Sequence, residues 1–178
     1  MTTVRPRVVL VGAMGAGKTT VAGLLAERWG LAVRDTDHDV EATAGKDITA
    51  IFVDDGEAHF RELERRAVAA ALDDHPGVLA LGGGAVLDAG TRQALVGHRV
   101  VFLEVGLSDA VKRVGLGITR PMLIGNLRAR VKALLEERHP VYTAVASLSV
   151  PTDGRTPEEV ADEVARLVEQ AEQAEETA

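Results

Sequence analysis

One run of eight residues constrains this chain more than any other part of its sequence. The run consists of Gly12, Ala13, Met14, Gly15, Ala16, Gly17, Lys18 and Thr19. It matches the pattern G-x-x-x-x-G-K-[ST] completely, between an apolar segment at 7–11 and a helical apolar pattern at 18–29. Between a strand and a helix, such a loop turns its backbone N–H groups toward phosphate oxygens. The run therefore predicts a nucleoside triphosphate site, whereas a glycine-rich turn with an incidental lysine leaves its flanks unexplained.

Short apolar segments alternate with helical patterns along the rest of the chain. Predicted strands lie at 7–11, 31–33, 78–81, 99–104 and 148–150. Predicted helices lie at 18–29, 40–44, 48–53, 57–72, 89–96, 108–114 and 126–137, with a last one that starts from a Thr156 capping box and frays toward its end. This order predicts an α/β fold, a five-stranded parallel sheet with helices on both faces and ligands at the carboxyl ends of the strands.

Composition and charge narrow the classes of partner. The 178 residues contain no cysteine, and the net charge of −7 comes from 158–178, where eight acidic residues stand against Arg166 alone. The longest apolar run, 67–72, is too short to cross a membrane. We therefore expect a small-molecule partner, no nucleic acid, no membrane and a cytoplasmic location. The few aromatic residues favour a monomer.

Two carboxylates follow the second predicted strand. Asp35 and Asp37 are separated by one residue, so in an extended chain they would share a face. One could hold Mg²⁺ through water while the other orients or deprotonates an acceptor hydroxyl. Taken alone, the pattern rather favours aspartates that form a turn or cap a helix.

Glycines and arginines supply candidate anion-binding groups. Gly82, Gly83 and Gly84 end the third predicted strand, where bare backbone could approach a ligand or simply turn. Arg61 has Glu64 one helical turn on, which either orients its guanidinium or forms an ordinary surface pair.

Two further arginines lie in the second half of the chain. Arg120 falls in a Gly- and Pro-containing stretch at 115–125 that is predicted as a mobile lid. Arg138 is predicted at a helix end, where a cation could bind an anion or complement the helix dipole.

Together these motifs resemble the shikimate kinase family of small P-loop kinases. The resemblance covers about residues 7–158 and rests on D-T-D at 35–37, F-R-x-x-E at 60–64, G-G-G at 82–84, R-P at 120–121 and R-x-P-x-Y at 138–142. It implies a single P-loop kinase domain over 1–178, with its lid at about 115–125 and an acidic C-terminal helix and tail at 158–178. The implied reaction is ATP-dependent phosphorylation of the 3-hydroxyl of shikimate in aromatic amino acid biosynthesis.

The resemblance also implies roles for individual residues. The candidate nucleotide-binding residues are Gly12, Ala13, Met14, Gly15, Ala16, Gly17, Lys18, Thr19, Thr20, Arg113, Arg120 and Arg155. Mg²⁺ would be held by Thr19 and Asp35. Asp37 would bind the acceptor hydroxyl as candidate base, and Lys18 and Arg120 would act on the transferred group. The other candidate shikimate-binding residues are Arg61, Gly82, Gly83, Gly84, Arg138, Phe52 and Phe60.

Two alternatives stay open from the sequence. Another small-molecule kinase, such as a gluconate kinase, shares the phosphate loop but has no need of the D-T-D, F-R-x-x-E and G-G-G set. A nucleotide-binding regulatory switch would leave the arginines unexplained, and the guanine-reading pattern N-K-x-D is absent.

Overall fold

A computed structural model describes residues 4–117 and 122–178, without the side chains of 117 and 122–125. Its centre is a five-stranded parallel sheet with the strand order β2-β3-β1-β4-β5. The strands are β1 (Val8–Val11), β2 (Val33–Asp35), β3 (Val78–Ala80), β4 (Val100–Glu104) and β5 (Leu148–Pro151). The predicted sheet is confirmed. Because β1 is central, the loop that follows it opens at the middle of the sheet edge.

Eight helices in the described residues connect and cover these strands. They are α1 (Lys18–Trp29), α2 (Thr36–Ala44), α3 (Ile48–Asp54), α4 (Glu57–Asp74), α5 (Ala89–Ala94), α6 (Leu107–Val114), α7 (Met122–Val145) and α8 (Pro157–Glu176). Two 3₁₀ turns lie at Ala85–Leu87 and Gly115–Gly117. No helix in these two stretches is both long and apolar enough to cross a membrane.

Alternate side chains of the central strands β1, β3 and β4 enter two different apolar layers, as the period of a strand requires. Val8 and Leu10 of β1 pack in one layer with residues of α1 and α8. Val9 and Val11 pack in the other with residues of α4 and α7. The sheet is therefore covered by helices on both faces, as predicted, and its polar strand ends are left for the site.

Helix α7 departs furthest from the prediction. The sequence placed a helix at 126–137, capped by Asn126, but the helix runs from Met122 to Val145 with Pro140 inside it. A proline removes one backbone hydrogen bond and disfavours helix in the residue before it, which is why an end was predicted there. Tyr142, buried beyond the proline in the layer under α4 and α7, offsets that loss. Arg138 consequently lies within the helix rather than at its end.

Smaller boundary shifts have similarly local causes. Strand β2 extends to Asp35 because it pairs with β3 up to Ala80, whereas the sequence had ended it at residue 33. Helix α6 begins at Leu107 with Gly106 as N-cap, so Ser108 is not the cap that was predicted.

The acidic terminal helix is tied to the body of the protein. Its capping box is confirmed, because Thr156 and Glu159 exchange side-chain to backbone hydrogen bonds. The helix does not fray early but continues to Glu176. Glu172 accepts hydrogen bonds from both Arg7 and Arg99. The bond to Arg7 is the main reason why the pKa of Glu172 is lowered, the charge of Arg99 adds to this, and burial opposes it.

Candidate active site

The phosphate loop owes its shape to glycines at strained or crowded positions. Gly15 and Gly17 have φ values of 85° and 87°, which side-chain-bearing residues rarely adopt. A Cβ at Gly12 would lie 2.6 Å from the carbonyl oxygen of Leu103. Gly17 is also the N-cap of α1 and supplies no side-chain cap, so the first turn of α1 keeps its N–H groups for an anion.

Lys18 extends along the inside of this loop. Its Nζ donates hydrogen bonds to the carbonyl oxygens of Gly12, at 2.6 Å, and Ala13, at 3.0 Å. The residue as a whole is half-buried but its ammonium group is enclosed, and this burial is the main reason why its pKa is lowered to about 8. Arg138 lowers the pKa further, while Asp37 opposes the shift. A polyanion beside this ammonium would favour its charged form and raise its pKa again.

Asp35 serves two neighbours at the start of α2. One carboxylate oxygen accepts the backbone N–H of Asp37 at 2.9 Å and caps the helix. The other accepts the hydroxyl of Thr19 at 3.0 Å. The capping interpretation is thus correct for Asp35, and the two aspartates do not share an extended face, because the chain turns into a helix between them.

The oxygens of Thr19 and Asp35 suit Mg²⁺, which prefers hard oxygen ligands and usually keeps only one or two from protein. Among residues 4–117 and 122–178 no group of three or more histidine, cysteine, aspartate or glutamate residues could hold a metal. A magnesium ion beside Thr19 and Asp35 would therefore complete its shell with phosphate oxygens and water.

A cavity of about 470 Å³ joins this loop to the ends of β2 and β3. The predicted site residues on its wall are Met14, Gly15, Gly17, Lys18, Thr19, Thr20, Asp35, Asp37, Phe60, Arg61, Gly83, Gly84 and Arg138. Ile48, Glu64 and Leu81 also line the wall but were not predicted as site residues, and Ile48 and Leu81 give the wall apolar surface. Ile48 opens a predicted helix after an aspartate, and that position carries no chemical signal.

Asp37 is the carboxylate best placed for proton transfer in the described part of this cavity. It lies in the first turn of α2, and a Cβ at Gly82 would collide with its carboxylate. Burial raises the pKa of Asp37, Asp35 adds to the rise, and Lys18 opposes it. A raised pKa makes a carboxylate a better proton acceptor than an exposed one.

Arg61 reaches the cavity from α4 and is held by a buried partner. Its Nη1 donates to Glu64 at 2.9 Å, and Glu64 is only 3% exposed. The pair is therefore not an ordinary surface pair. Burial raises the pKa of Glu64, and the guanidinium of Arg61 acts against that rise. A Cβ at Gly84 would collide with this guanidinium, so the loop and the arginine are packed against each other.

Arg138 approaches the same loop from α7. A Cβ at Gly83 would lie 3.5 Å from its Nη1. Its Nε is buried and has no hydrogen-bond partner among the described residues. A buried donor without a partner is costly. An anionic group in the cavity would satisfy it.

A second cavity of about 210 Å³ lies behind the phosphate loop. Its walls include Thr20, Arg113, Thr152 and Arg155. The guanidinium of Arg113 donates to the carbonyl oxygens of Gly15, at 2.9 Å, and Thr152, at 3.2 Å. Arg113 thereby links the phosphate loop to the end of β5, and the space beside it is available to a nucleobase.

Several sequence-based assignments do not line the first cavity. Among them, Ala16, Arg113 and Arg155 line the second cavity, and Gly12 and Ala13 line neither. Phe52 is 37% exposed and stacks on Phe60, with ring centroids 4.6 Å apart, so it supports the wall from behind. Gly82 does not line the cavity but places Gly83 and Gly84 in it. Arg120 and most of the predicted lid at 115–125 lie outside the described residues.

Comparisons with known proteins agree on one family. A family model described as "Shikimate kinase" matches residues 14–169. A shikimate kinase of Salinispora arenicola is 64% identical over 163 residues, which cover 92% of this chain and 98% of that protein. A shikimate kinase of Thermobifida fusca is 58% identical over 162 residues, covering 91% and 94%.

Solved structures extend the agreement to the fold. Shikimate kinase from Acinetobacter baumannii, in complex with shikimate, matches with a TM-score of 0.86 at 33% identity and covers 95% of each chain. A gluconokinase from Sinorhizobium meliloti matches with a TM-score of 0.60 at 20% identity, over 97% of this chain and 98% of its own. The gluconokinase likeness concerns the fold alone.

Proposed function

The chain belongs to the shikimate kinase family, and from that premise we propose how its residues share the reaction. The reaction transfers the terminal phosphoryl group of ATP to the 3-hydroxyl of shikimate and gives shikimate 3-phosphate. Mg²⁺ accompanies ATP and offsets phosphate charge when bound. The gluconate kinase and switch alternatives are not favoured.

On the nucleotide side, residues 12–20 bind the phosphates through backbone N–H groups and Lys18, and Thr19 with Asp35 hold the metal ion. Free N–H groups at the start of α1 and the enclosed ammonium of Lys18 support this assignment. Arg113 and Arg155 border the adenine, which is supported by the second cavity that they line.

On the acceptor side, Arg61 and Arg138 bind the carboxylate and hydroxyl groups of shikimate together with the glycines at 82–84. Their support is the shared cavity and the partnerless Nε of Arg138. Phe60, backed by Phe52, forms the apolar wall against the ring. Two arginines and bare amides fit a small hydroxylated anion.

Asp37 accepts the proton of the 3-hydroxyl as that oxygen attacks the terminal phosphorus. The bond from oxygen to phosphorus forms while the bond to the ADP oxygen breaks, and the proton moves to the Asp37 carboxylate. Lys18 neutralises charge on the phosphates. Arg120 is assigned to the same task on the resemblance of its R-P motif alone. Catalysis consists mainly of positioning and charge stabilisation.

We also propose that residues 1–178 work as one monomeric domain in the cytoplasm, with ATP and shikimate as partners and without nucleic acid or membrane. The acidic net charge and the absence of cysteine support this proposal. Light scattering during size-exclusion chromatography tests the monomer, and a dimer mass would contradict it.

The placement of Asp37, Arg61 and Arg138 around one cavity beside Lys18 carries the proposal. Its test is an ADP-release assay with Mg-ATP and shikimate, gluconate or no acceptor, run on the native chain and on Arg138→Lys. We expect turnover with shikimate and a shikimate KM raised about tenfold in the variant, because lysine lacks the planar donor set of arginine.

Arg128→Lys is the matched control, because Arg128 is an exposed arginine of the same helix. Its KM for shikimate should stay unchanged. Turnover with gluconate alone, or hydrolysis indifferent to acceptor, would contradict the assignment of the acceptor side.

A further inference from the structure

The loop Gly82–Gly84 brings no side chain to fix its own conformation, so its neighbours must do so. At its start, the Gly82 N–H donates to the buried hydroxyl of Thr36 at 3.1 Å. One residue later, the Gly83 carbonyl oxygen accepts the hydroxyl of Tyr142 at 2.5 Å. The loop is therefore held from opposite sides by α2 and α7.

Tyr142 is built to hold its position. It is 1% exposed, and its ring packs against Phe102 with centroids 5.0 Å apart. Burial raises the pKa of its phenol, and Arg138 opposes the rise. The phenol therefore keeps its proton at neutral pH and can donate it to the Gly83 carbonyl oxygen. Removal of this hydrogen bond requires a substitution of Tyr142.

The position of Tyr142 on α7 connects two parts of the acceptor site. It lies one helical turn after Arg138, on the same side of the helix. Its hydroxyl fixes the Gly83 carbonyl, and because a peptide bond is planar, this also fixes the direction of the Gly84 N–H. Movement of Gly83 relative to Arg138 would require this bond to break.

We propose that Tyr142 is a positioning residue for shikimate. It fixes the Gly82–Gly84 loop relative to Arg138, so that the loop and the arginine contact the substrate together. The inference rests on the proposed function, because it takes Arg138 and this loop to be acceptor-binding groups. Tyr142 lines neither the first nor the second cavity, so the inference assigns it a supporting role rather than a contact with the reacting groups.

The first test is Tyr142→Phe, which keeps the ring and removes the hydroxyl. We expect the KM for shikimate to rise about fivefold, the worth of one neutral hydrogen bond, with the KM for ATP unchanged. Thr143→Val is the matched control, because the Thr143 hydroxyl bonds the His139 carbonyl on the same helix and is exposed. The control should keep both KM values.

The second test needs no variant at this position. Tyr142 is the sole tyrosine of the sequence, so 3-fluorotyrosine labelling gives a single ¹⁹F resonance. We expect this resonance to shift on addition of shikimate and to stay in place with Mg-ADP. A phenol that only fills space under α7 would respond equally to both ligands or to neither.

The outcomes separate this inference from the function beneath it. An unchanged shikimate KM in a folded Tyr142→Phe, or equal changes for both substrates, overturns the role of Tyr142 while Arg138→Lys still impairs shikimate use. If Arg138→Lys also leaves the shikimate KM unchanged, the acceptor assignment itself fails. A ¹⁹F resonance indifferent to shikimate overturns the inference even where Tyr142→Phe does not fold.

Discussion

The phosphate loop and the acceptor pocket share one cavity, yet the chain builds them differently. The phosphate loop is one continuous stretch at 12–19, and the groups proposed to bind phosphate there are mostly backbone N–H groups. The pocket draws Asp37 from α2, Arg61 from α4 and Arg138 from α7, around glycines that follow β3. Local backbone geometry therefore determines the nucleotide site, and long-range packing determines the acceptor site.

This difference predicts how each half fails. Glycines permit the positive φ values of the phosphate loop, which is built within one short stretch of chain. The glycines at 82–84 are instead contacted by Thr36, Arg61 and Tyr142, which come from three separate helices. Substitutions around the pocket should consequently alter acceptor use and leave nucleotide binding intact. Three experiments test this separation.

The largest effect is expected for Asp37→Asn. Removal of the proposed base should lower kcat by about a hundredfold or more, while ATP binding, measured by calorimetry, persists. Asp39→Asn is the control on the same helix, since Asp39 pairs with Arg34 rather than lining the cavity. A variant with native kcat would remove Asp37 from the reaction, and loss of ATP binding would break the separation of the two halves.

A smaller effect is expected for Gly84→Ala. The new methyl group would collide with the guanidinium of Arg61, so the KM for shikimate should rise about tenfold while the KM for ATP stays the same. Gly23→Ala supplies the control, because a Cβ there meets nothing within 4 Å. Gly23 lies exposed inside α1, so alanine should raise the free energy of unfolding by up to about 1 kcal/mol. An equal rise in both KM values for Gly84→Ala would argue against separate halves.

The smallest effect is expected on the nucleotide side, in the number of protons taken up by Lys18 when the nucleotide binds. Lys18 has a pKa of about 8 before phosphates bind, and bound phosphates favour its charged form. Binding near pH 9 should therefore take up part of a proton, and affinity should fall as pH rises through about 8. Calorimetry in buffers of different ionisation enthalpy measures the uptake. The variant Lys18→Arg, whose side chain stays charged at every pH used, should take up no proton. Proton uptake that persists in this variant would come from another group and would contradict the role of Lys18.

The phosphate loop was easier to predict from the sequence than the acceptor pocket, because the loop depends on local geometry and the pocket on long-range packing. A contiguous motif between a strand and a helix carries its own geometry, so residues 12–19 needed no tertiary information. Asp37, Arg61 and Arg138 were identifiable through the resemblance, whereas each residue alone favoured a cap, a surface pair or a helix dipole partner. The burial of Glu64 shows that Arg61 and Glu64 do not form an ordinary surface pair. That burial results from tertiary packing and could not be predicted from the spacing of the two residues.

The remaining errors also lie where packing outweighs local preference. Pro140 predicted a helix end, but the continuous α7 buries Tyr142 beyond it. The second strand was predicted to end at residue 33, but pairing with β3 carries it to Asp35. Ile48 gave no chemical signal, and Tyr142 entered only as part of the R-x-P-x-Y motif. An apolar wall and a loop support differ from core residues only in their three-dimensional neighbours.

The uninterrupted course of α7 limits how sequences of this kind can change length. The helix has 24 residues, about 36 Å, and Arg138 lies in its second half. Each residue added or deleted between 126 and 138 would turn Arg138 by about 100° relative to the earlier part of the helix. A substitution along that stretch leaves this register unchanged, whereas a single insertion or deletion does not. Related chains should therefore vary in length before α7 or after it, and keep the same number of residues within the helix.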